Sequence, residues 1–372
     1  MKKTLRLGLL CAAGVLTAQN VYAQSSVTLY GVLDVGIRMD THQSASGGKL
    51  YTMGNGGPMS SNRWGLLGKE DLGAGMHAFF RLENGFTPNT GAFQNATPSG
   101  GVREFGRTAL VGIGSNEYGD ISLGRQYALV HEMVGAHDVL GLSNYAQTYA
   151  FQAAGLTGGG GRLDNSVRYT SPNIAGIVLT TSFTLGNTSG DFHRYTSPAV
   201  SLSYGKGPLT VGATYQIVND IGGLTPASTQ YGSSYFGVVM PDSDQKLFTV
   251  GATYKIGKAT LYGSYIYSHV YPADYRNDSF SVAALYAFTS DITMRLPVYI
   301  DFLHHASTSG TRITTGPIFD YAFSKATDVY IGVDYTHLTG AWTTLASSST
   351  FTIPLYGANT LLEAFVGLRH SF

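Results

Sequence analysis

Leu247-Phe248-Thr249-Val250-Gly251-Ala252-Thr253-Tyr254-Lys255-Ile256 alternates without a slip. One parity reads Phe248, Val250, Ala252, Tyr254 and Ile256, and the other Thr249, Gly251, Thr253 and Lys255. Successive side chains of a β-strand point to opposite faces, so this period of two describes a strand with one apolar and one polar side. The stretch is also about as long as a tilted strand that crosses a bilayer. The same pattern recurs at 209–217, where Leu209, Val211, Ala213, Tyr215 and Ile217 oppose Thr210, Gly212, Thr214 and Gln216. It recurs again at 329–335, where Val329, Ile331, Val333 and Tyr335 oppose Tyr330, Gly332 and Asp334. A soluble sandwich alternates too. What separates the two is the polar parity, rich in Gly, Thr and isolated charges as a wet lumen requires, together with aromatics near strand ends such as Tyr265, Tyr267 and Tyr271.

Working outward, sixteen such segments are expected, at 27–38, 62–70, 76–86, 104–113, 121–127, 164–171, 176–185, 198–204, 209–218, 245–255, 259–268, 278–287, 292–303, 311–323, 327–336 and 360–372. Short connections at 71–75, 114–120, 172–175, 205–208, 256–258, 288–291 and 324–326 alternate with longer ones such as 39–61, 87–103, 128–163, 219–244 and 337–359. A barrel of this size with both ends on one side needs seven turns there and eight loops opposite, and the pattern supplies them. The fold class is therefore all-β, a 16-stranded antiparallel transmembrane barrel with periplasmic turns and extracellular loops. Pro297 and Pro317 fall inside two of the segments. A closed barrel has no edge on which to hide a proline, so a local bulge or a shifted boundary is expected at each.

The first 23 residues are set apart from this fold. Lys2, Lys3 and Arg6 precede the apolar run Leu7 to Leu16, and Val21-Tyr22-Ala23 resembles a cleavage site, so 1–23 reads as a secretory signal peptide and 24–372 as the barrel. The single cysteine, Cys11, lies in the leader and follows Leu10, not the small residue a lipid-modified cysteine needs. Disulfide and thiolate chemistry are thereby excluded from the mature chain. Removing Lys2, Lys3 and Arg6 from 23 basic residues leaves 20 against 23 acidic ones, a charge near −3 that argues against a nucleic-acid partner. Charged residues are only 12% of the chain, about half the usual share, whereas Gly (48) and Tyr (25) are abundant. No later segment is apolar for long enough to cross a bilayer as a helix.

Several stretches resemble the general porins of β-proteobacteria, related to the neisserial porins. Ser26-Val27-Thr28-Leu29-Tyr30-Gly31-Val32-Leu33-Asp34-Val35-Gly36 is similar to that family's first strand. Asn62-Arg63-Trp64-Gly65-Leu66-Leu67-Gly68-Lys69-Glu70-Asp71-Leu72-Gly73-Ala74-Gly75 resembles its second strand and first turn. Leu123-Gly124-Arg125-Gln126-Tyr127 is similar to its approach to the constriction loop, and Arg369-His370-Ser371-Phe372 to its ending. The resemblance spans the mature chain. It implies an integral outer-membrane protein, a passive diffusion channel for ions and small hydrophilic solutes, assembled as a homotrimer, with the third extracellular loop folded into each pore. It also implies outer-membrane lipid and lipopolysaccharide as surroundings, and recognition of Phe372 by the barrel assembly machinery. No cofactor, metal or catalytic group is expected. The chain departs from many relatives at Ala128, where an acidic residue is usual, and its loop 128–163 carries few charges.

Strand parity then predicts the charges facing the lumen. Asp34 and Arg38 share the polar face of Tyr30; Arg63 and Lys69 share a face, as do Arg81 and Glu83; Arg107 and Arg168 oppose Leu110 and Tyr169. Arg125 has the parity of Ile121 and Leu123 and is included on the resemblance alone. His131, Glu132, His137 and Asp138 are the candidates in the constriction loop. Most of the wall charges are basic, which sets a field across a hydrated path. Other features carry less. His304-His305 decorates a loop, the glycine run 158–161 lacks the strand-to-helix context of a phosphate cradle, and no Gly-x-Ser-x-Gly elbow is present. The competing readings are a barrel enzyme, a channel selective for sugars or one anion (with Tyr145, Tyr149 and Phe151 as a possible aromatic slide), and an adhesin or phage receptor acting through the long loops.

Overall fold

The computed structural model describes residues 26–53, 59–94, 102–143, 161–220, 243–272, 274–345 and 358–372, with backbone alone at 234–235 and 238–239. Residues 1–23, the expected leader, the aromatics Tyr145, Tyr149 and Phe151, and glycines 158–160 lie outside the described residues. Sixteen strands build the wall: β1 (Ser26–Asp40), β2 (Arg63–Gly73), β3 (Met76–Gly85), β4 (Thr108–Ser115), β5 (Gly119–Tyr127), β6 (Arg162–Thr170), β7 (Ile177–Thr184) and β8 (Ser197–Lys206). The second half continues with β9 (Leu209–Val218), β10 (Asp244–Ile256), β11 (Ala259–Tyr271), β12 (Tyr275–Ala287), β13 (Ile292–His305), β14 (Thr308–Thr315, continued by Ile318–Ala322), β15 (Thr327–Leu338) and β16 (Thr360–Ser371). Each pairs antiparallel with its sequence neighbours. β1 also pairs with β16, Asp34 opposite Arg369 and Asp40 opposite Glu363, which closes the barrel. The seam runs on to the last residue, where Gly31 and Phe372 exchange backbone bonds of 2.9 and 3.1 Å. A side chain at position 31 would collide with the Phe372 ring, so only glycine seats it there.

Burial along each strand is inverted relative to a soluble protein. On β10 the apolar Phe248, Val250, Tyr254 and Ile256 are exposed, while Gln245 and Thr249 are buried. On β12 Phe280 and Val282 are exposed, while Asn277 and Ser279 are buried. Lipid in place of water outside explains the inversion, because the apolar parity then needs no cover.

The seven turns are short, as expected. At the opposite end two connections are also short, because β11 to β14 run further than their alternation suggested, β11 ending at Tyr271 and β12 starting at Tyr275, with a turn at 306–307. The fourth strand starts at Thr108, not at 104, because the residues before it cross the end of the wall: Phe105 packs edge-on to Trp64, and the Asn84 amide donates to the Glu104 carbonyl. Neither proline produces a bulge. The register is the same on both sides of the gap in β14, Val298 opposite Thr315 and Arg295 opposite Ile318, so Pro297 falls opposite Gly316. Pro317 faces the other way, its carbonyl accepting from Val333 of β15 at 3.2 Å. The two missing N–H groups therefore unlace β14 on both sides at one level, and Thr315 Oγ1 donates to the Pro297 carbonyl (2.8 Å) in place of a ladder bond.

Among the described residues, two short helices pack against the inward parity. α1 (Leu129–His137) buries Leu129, Val130, Met133, Val134 and His137, a stripe at helical spacing, with Glu132 complementing its N-terminal end. Met133 and His137 occupy the space that side chains on Gly212 of β9 and Gly251 of β10 would fill. Asp138 ends the helix, its carboxylate accepting the Leu142 N–H (2.8 Å) and the Tyr299 hydroxyl of β13 (2.5 Å). α2 (Ala341–Leu345) packs on β13 and β14, where Trp342 is buried and its Nε1 donates to the Asp301 carbonyl at 3.2 Å.

Candidate pore lining

Directly opposite residues of neighbouring strands share a face. Tyr30 of β1 stands opposite Gly65 of β2, which stands opposite Glu83 of β3. Because residue 65 has no side chain, Tyr30 lies across β2 and its hydroxyl donates to Glu83 Oε2 at 2.8 Å, two strands away. Arg81 joins this pair, Nε donating to the Tyr30 oxygen (2.9 Å) and Nη2 to Glu83 Oε2 (2.8 Å). Arg63 Nε lies 3.8 Å from the same oxygen, and Arg107 Nε donates to Oε1 at 2.7 Å. Glu83 is almost fully covered, at 1% side-chain exposure, so it holds the three guanidinium groups together and is itself hidden from solute. Charge-assisted bonds of this kind are the strong ones, and they offset the desolvation of the carboxylate.

The cluster continues through Tyr127 at the end of β5. Its phenolic oxygen accepts from Arg107 Nη2 (2.6 Å) and Arg162 Nη2 (2.8 Å), and the Arg162 guanidinium lies over its ring at 4.4 Å. His131 of α1 stacks on the same ring at 4.7 Å, and burial, then Arg162 and Arg107, hold its imidazole neutral well below the usual range. Arg168 of β6 donates through Nη1 to both oxygens of Glu132 (3.0 Å each) and through Nη2 to the Tyr127 carbonyl. Four arginines (63, 81, 107 and 168) thus engage two carboxylates, Glu83 and Glu132, and Arg162 joins them through Tyr127.

Tyr30, Arg63, Arg81, Glu83, Arg107 and Arg168 are therefore brought together, with Glu132 and His131 reaching them from α1. Arg107 joins by a different route from the one expected. It precedes β4, and Leu110, opposite Arg81, holds the inward parity of that strand. Lys69 shares the inward parity but stands exposed, opposite Ser26 and Phe79. Asp34 faces inward and yet lines nothing, because the 59–62 segment covers it: its carboxylate accepts the Met59 (2.8 Å) and Ser60 (2.5 Å) amides and the Tyr330 hydroxyl. Arg38 points to another wall, with Asp40 at 3.2 Å and Glu363 at 3.6 Å. Arg125 keeps the outward parity up to a register shift after Gly124, donates to the Gly106 carbonyl (2.8 Å) and pairs with Asp164 (2.6 Å). His137, bonded to the Met133 carbonyl (2.9 Å), and Asp138 are buried and hold the helix; burial raises the Asp138 carboxyl above its usual range. Tyr127 and Arg162 were absent from the expected lining. The shift after Gly124 defeats parity counting for the first, and Arg162 begins a strand whose alternation is visible only from 164.

Residues 10–341 match the family model described as Gram-negative porin. An outer membrane porin protein of Bordetella pertussis is 32% identical over 265 residues, 63% of this chain and 66% of that protein. Outer membrane porin protein 32 of Delftia acidovorans is 30% identical over 274 residues, 71% of this chain and 68% of the relative. The alignments thus span about two thirds of each relative's length. Among solved structures, an anion-selective porin from Comamonas acidovorans superposes with a TM-score of 0.72 at 22% identity, covering 94% of this chain and all of the other.

Proposed function

From the premise that this chain belongs to the Gram-negative porin family, as an integral channel of the outer membrane, we propose that it passes small hydrophilic solutes by passive diffusion and favours anions. The observation that carries the preference is the excess of guanidinium over carboxylate groups around Tyr127 and Glu83 among the described residues, where Arg63, Arg81, Arg107 and Arg168 engage only Glu83 and Glu132. Arg63 and Arg81 keep 29% and 43% of their side-chain surface exposed, so their charge reaches the water path, whereas Glu83 does not. A hydrated anion meets fixed cations there at the cost of little reorganisation, and a cation meets repulsion. In this reading α1 forms the constriction, with Glu132 tied to the wall by Arg168. The assembly is a homotrimer, each protomer carrying its own pore.

Planar-bilayer recording in a salt gradient tests the proposal. The wild-type reversal potential is expected on the anion side, with conductance steps in threes. Arg63→Gln with Arg81→Gln is expected to move it most of the way to zero. A reversal potential that stays put in the double variant would refute the role assigned to these arginines.

A further inference from the structure

One apolar side chain interrupts the polar lining of the lumen. Of the large apolar residues that the described wall strands leave exposed, Leu67, at 45%, is the one with inward parity. Other inward apolar groups, such as Leu247, Ile266, Tyr299 and Leu303, are almost fully covered. A lone exposed leucine is ordinary on a protein surface. This one has company of a particular kind.

Leu67 of β2 stands directly opposite Arg81 of β3, and Arg81 stands opposite Leu110 of β4. Two leucines therefore flank one guanidinium on the same face, each one strand gap of about 5 Å away. Phe79, two residues before Arg81, faces the same way and is diagonal to both leucines. Its ring lies across β4, in the space that a side chain on Gly112 would take. Leu110 and Phe79 are half-buried and Leu67 is exposed, so the three form a low apolar ledge around Arg81. Nε and Nη2 of Arg81 are held by Tyr30 (2.9 Å) and Glu83 (2.8 Å), which fixes the guanidinium beside the ledge and leaves 43% of the side chain in contact with water. Cations stand at both ends of this surface. Along β2 the inward residues run Arg63, Gly65, Leu67 and Lys69 toward the first periplasmic turn, about 7 Å apart. Lys69 is exposed and lies directly opposite Phe79.

A chloride ion uses only the cations on this line. An anion with a compact apolar body uses the ledge as well, with its carboxylate on Arg81 and its body against Leu67, Leu110 and Phe79, so that water leaves both apolar surfaces. On the premise of the anion preference proposed above, we infer that the channel reads a second property of its solutes and favours monocarboxylates with an aromatic or branched aliphatic body. Leu67 is the residue that sets this preference. Lys69 receives the carboxylate as it moves on toward the periplasm, so the solute is held weakly at two points and is not trapped.

Planar-bilayer currents of the wild-type channel in potassium chloride are titrated with benzoate, with acetate, and with benzamide, which has the ring without the charge. Benzoate is expected to halve the chloride current at about one tenth of the acetate concentration, and benzamide to leave it unchanged. Leu67→Asn is expected to bring benzoate to the acetate value. Equal block by benzoate and acetate, in a channel whose reversal potential favours anions, overturns this inference and leaves the anion preference standing. A reversal potential without that preference, read before any acid is added, removes the premise and the inference with it. An advantage of benzoate that persists undiminished in Leu67→Asn, or block by benzamide, overturns the ledge as its cause.

Discussion

Two charged stretches of the described barrel wall have opposite fates. Around Glu83, guanidinium groups converge from β2 to β6, and two of them remain in contact with water. On the adjoining wall Asp40, Glu363 and Asp334 stand directly opposite one another across β1, β16 and β15, at 4%, 0% and 1% exposure. Arg38 bridges Asp40 and Glu363, and nearby Asp301 stands opposite Arg312 under the Trp342 ring (5.7 Å). Strand parity sends both sets of charges inward. What differs is the cover: the carboxylates of one wall are closed over, while Arg63 and Arg81 on the other stay wet. A channel reads the charges it leaves wet, so selectivity is decided by where the loops pack as much as by what the strands carry.

The largest effect is expected at Glu83, which holds the wet wall together. Glu83→Gln is expected to destabilise the barrel by about 3 kcal/mol, because Arg107 would remain covered without its counter-charge. The same variant is expected to shift the reversal potential further toward anions. Denaturant unfolding in detergent and bilayer recording check the two halves, and an unchanged midpoint would count against the keystone role.

A smaller effect concerns the docking of α1 on the wet wall. His131 is held neutral where it stacks on Tyr127, beside Arg107 and Arg162, and recovers its ordinary value near 6.5 if the helix leaves. Proton uptake then favours the released state as the pH falls below that value, by about 1 kcal/mol for each unit. Asp138 under Tyr299 acts with the opposite sign: its raised carboxyl gains a proton more readily while docked, so acid favours docking there. Conductance fluctuations are expected to grow between about pH 7.5 and 5.5, more strongly in Asp138→Asn and not at all in His131→Gln. Identical pH profiles in all three proteins would sink this account.

The smallest expected effect sharpens the contrast from the covered side. Asp40→Asn with Glu363→Gln is expected to leave the reversal potential nearly where it was, since neither side chain meets the water path. A shift as large as that of the Arg63 and Arg81 pair would show that cover does not silence a wall.

Alternation made the sixteen strands and their inward faces legible, because side-chain direction is a local property of the strand. The site was legible only where that property sufficed. Arg63, Arg81 and Glu83 follow from parity alone, but the reach of Tyr30 over Gly65 depends on the register of three strands. Asp34 has the right parity and the wrong surroundings, since residues 59–62 fold over it from the first loop. Tyr127 and Arg162 stand where the register slips, and Arg107 just outside its strand. In each case the deciding contact is between segments far apart in sequence, to which a local period is blind.

Lateral tension in a bilayer is borne around a closed barrel by its transverse hydrogen bonds, which act as hoops. At the level of Gly316 that hoop is cut twice within two residues, by Pro297 on one flank of β14 and Pro317 on the other. The load there passes instead through the Thr315 hydroxyl and the bond from Val333 to Pro317. β14 is thus expected to yield more readily than a fully laced strand when the membrane is stretched, on the wall whose carboxylates are sealed from the pore.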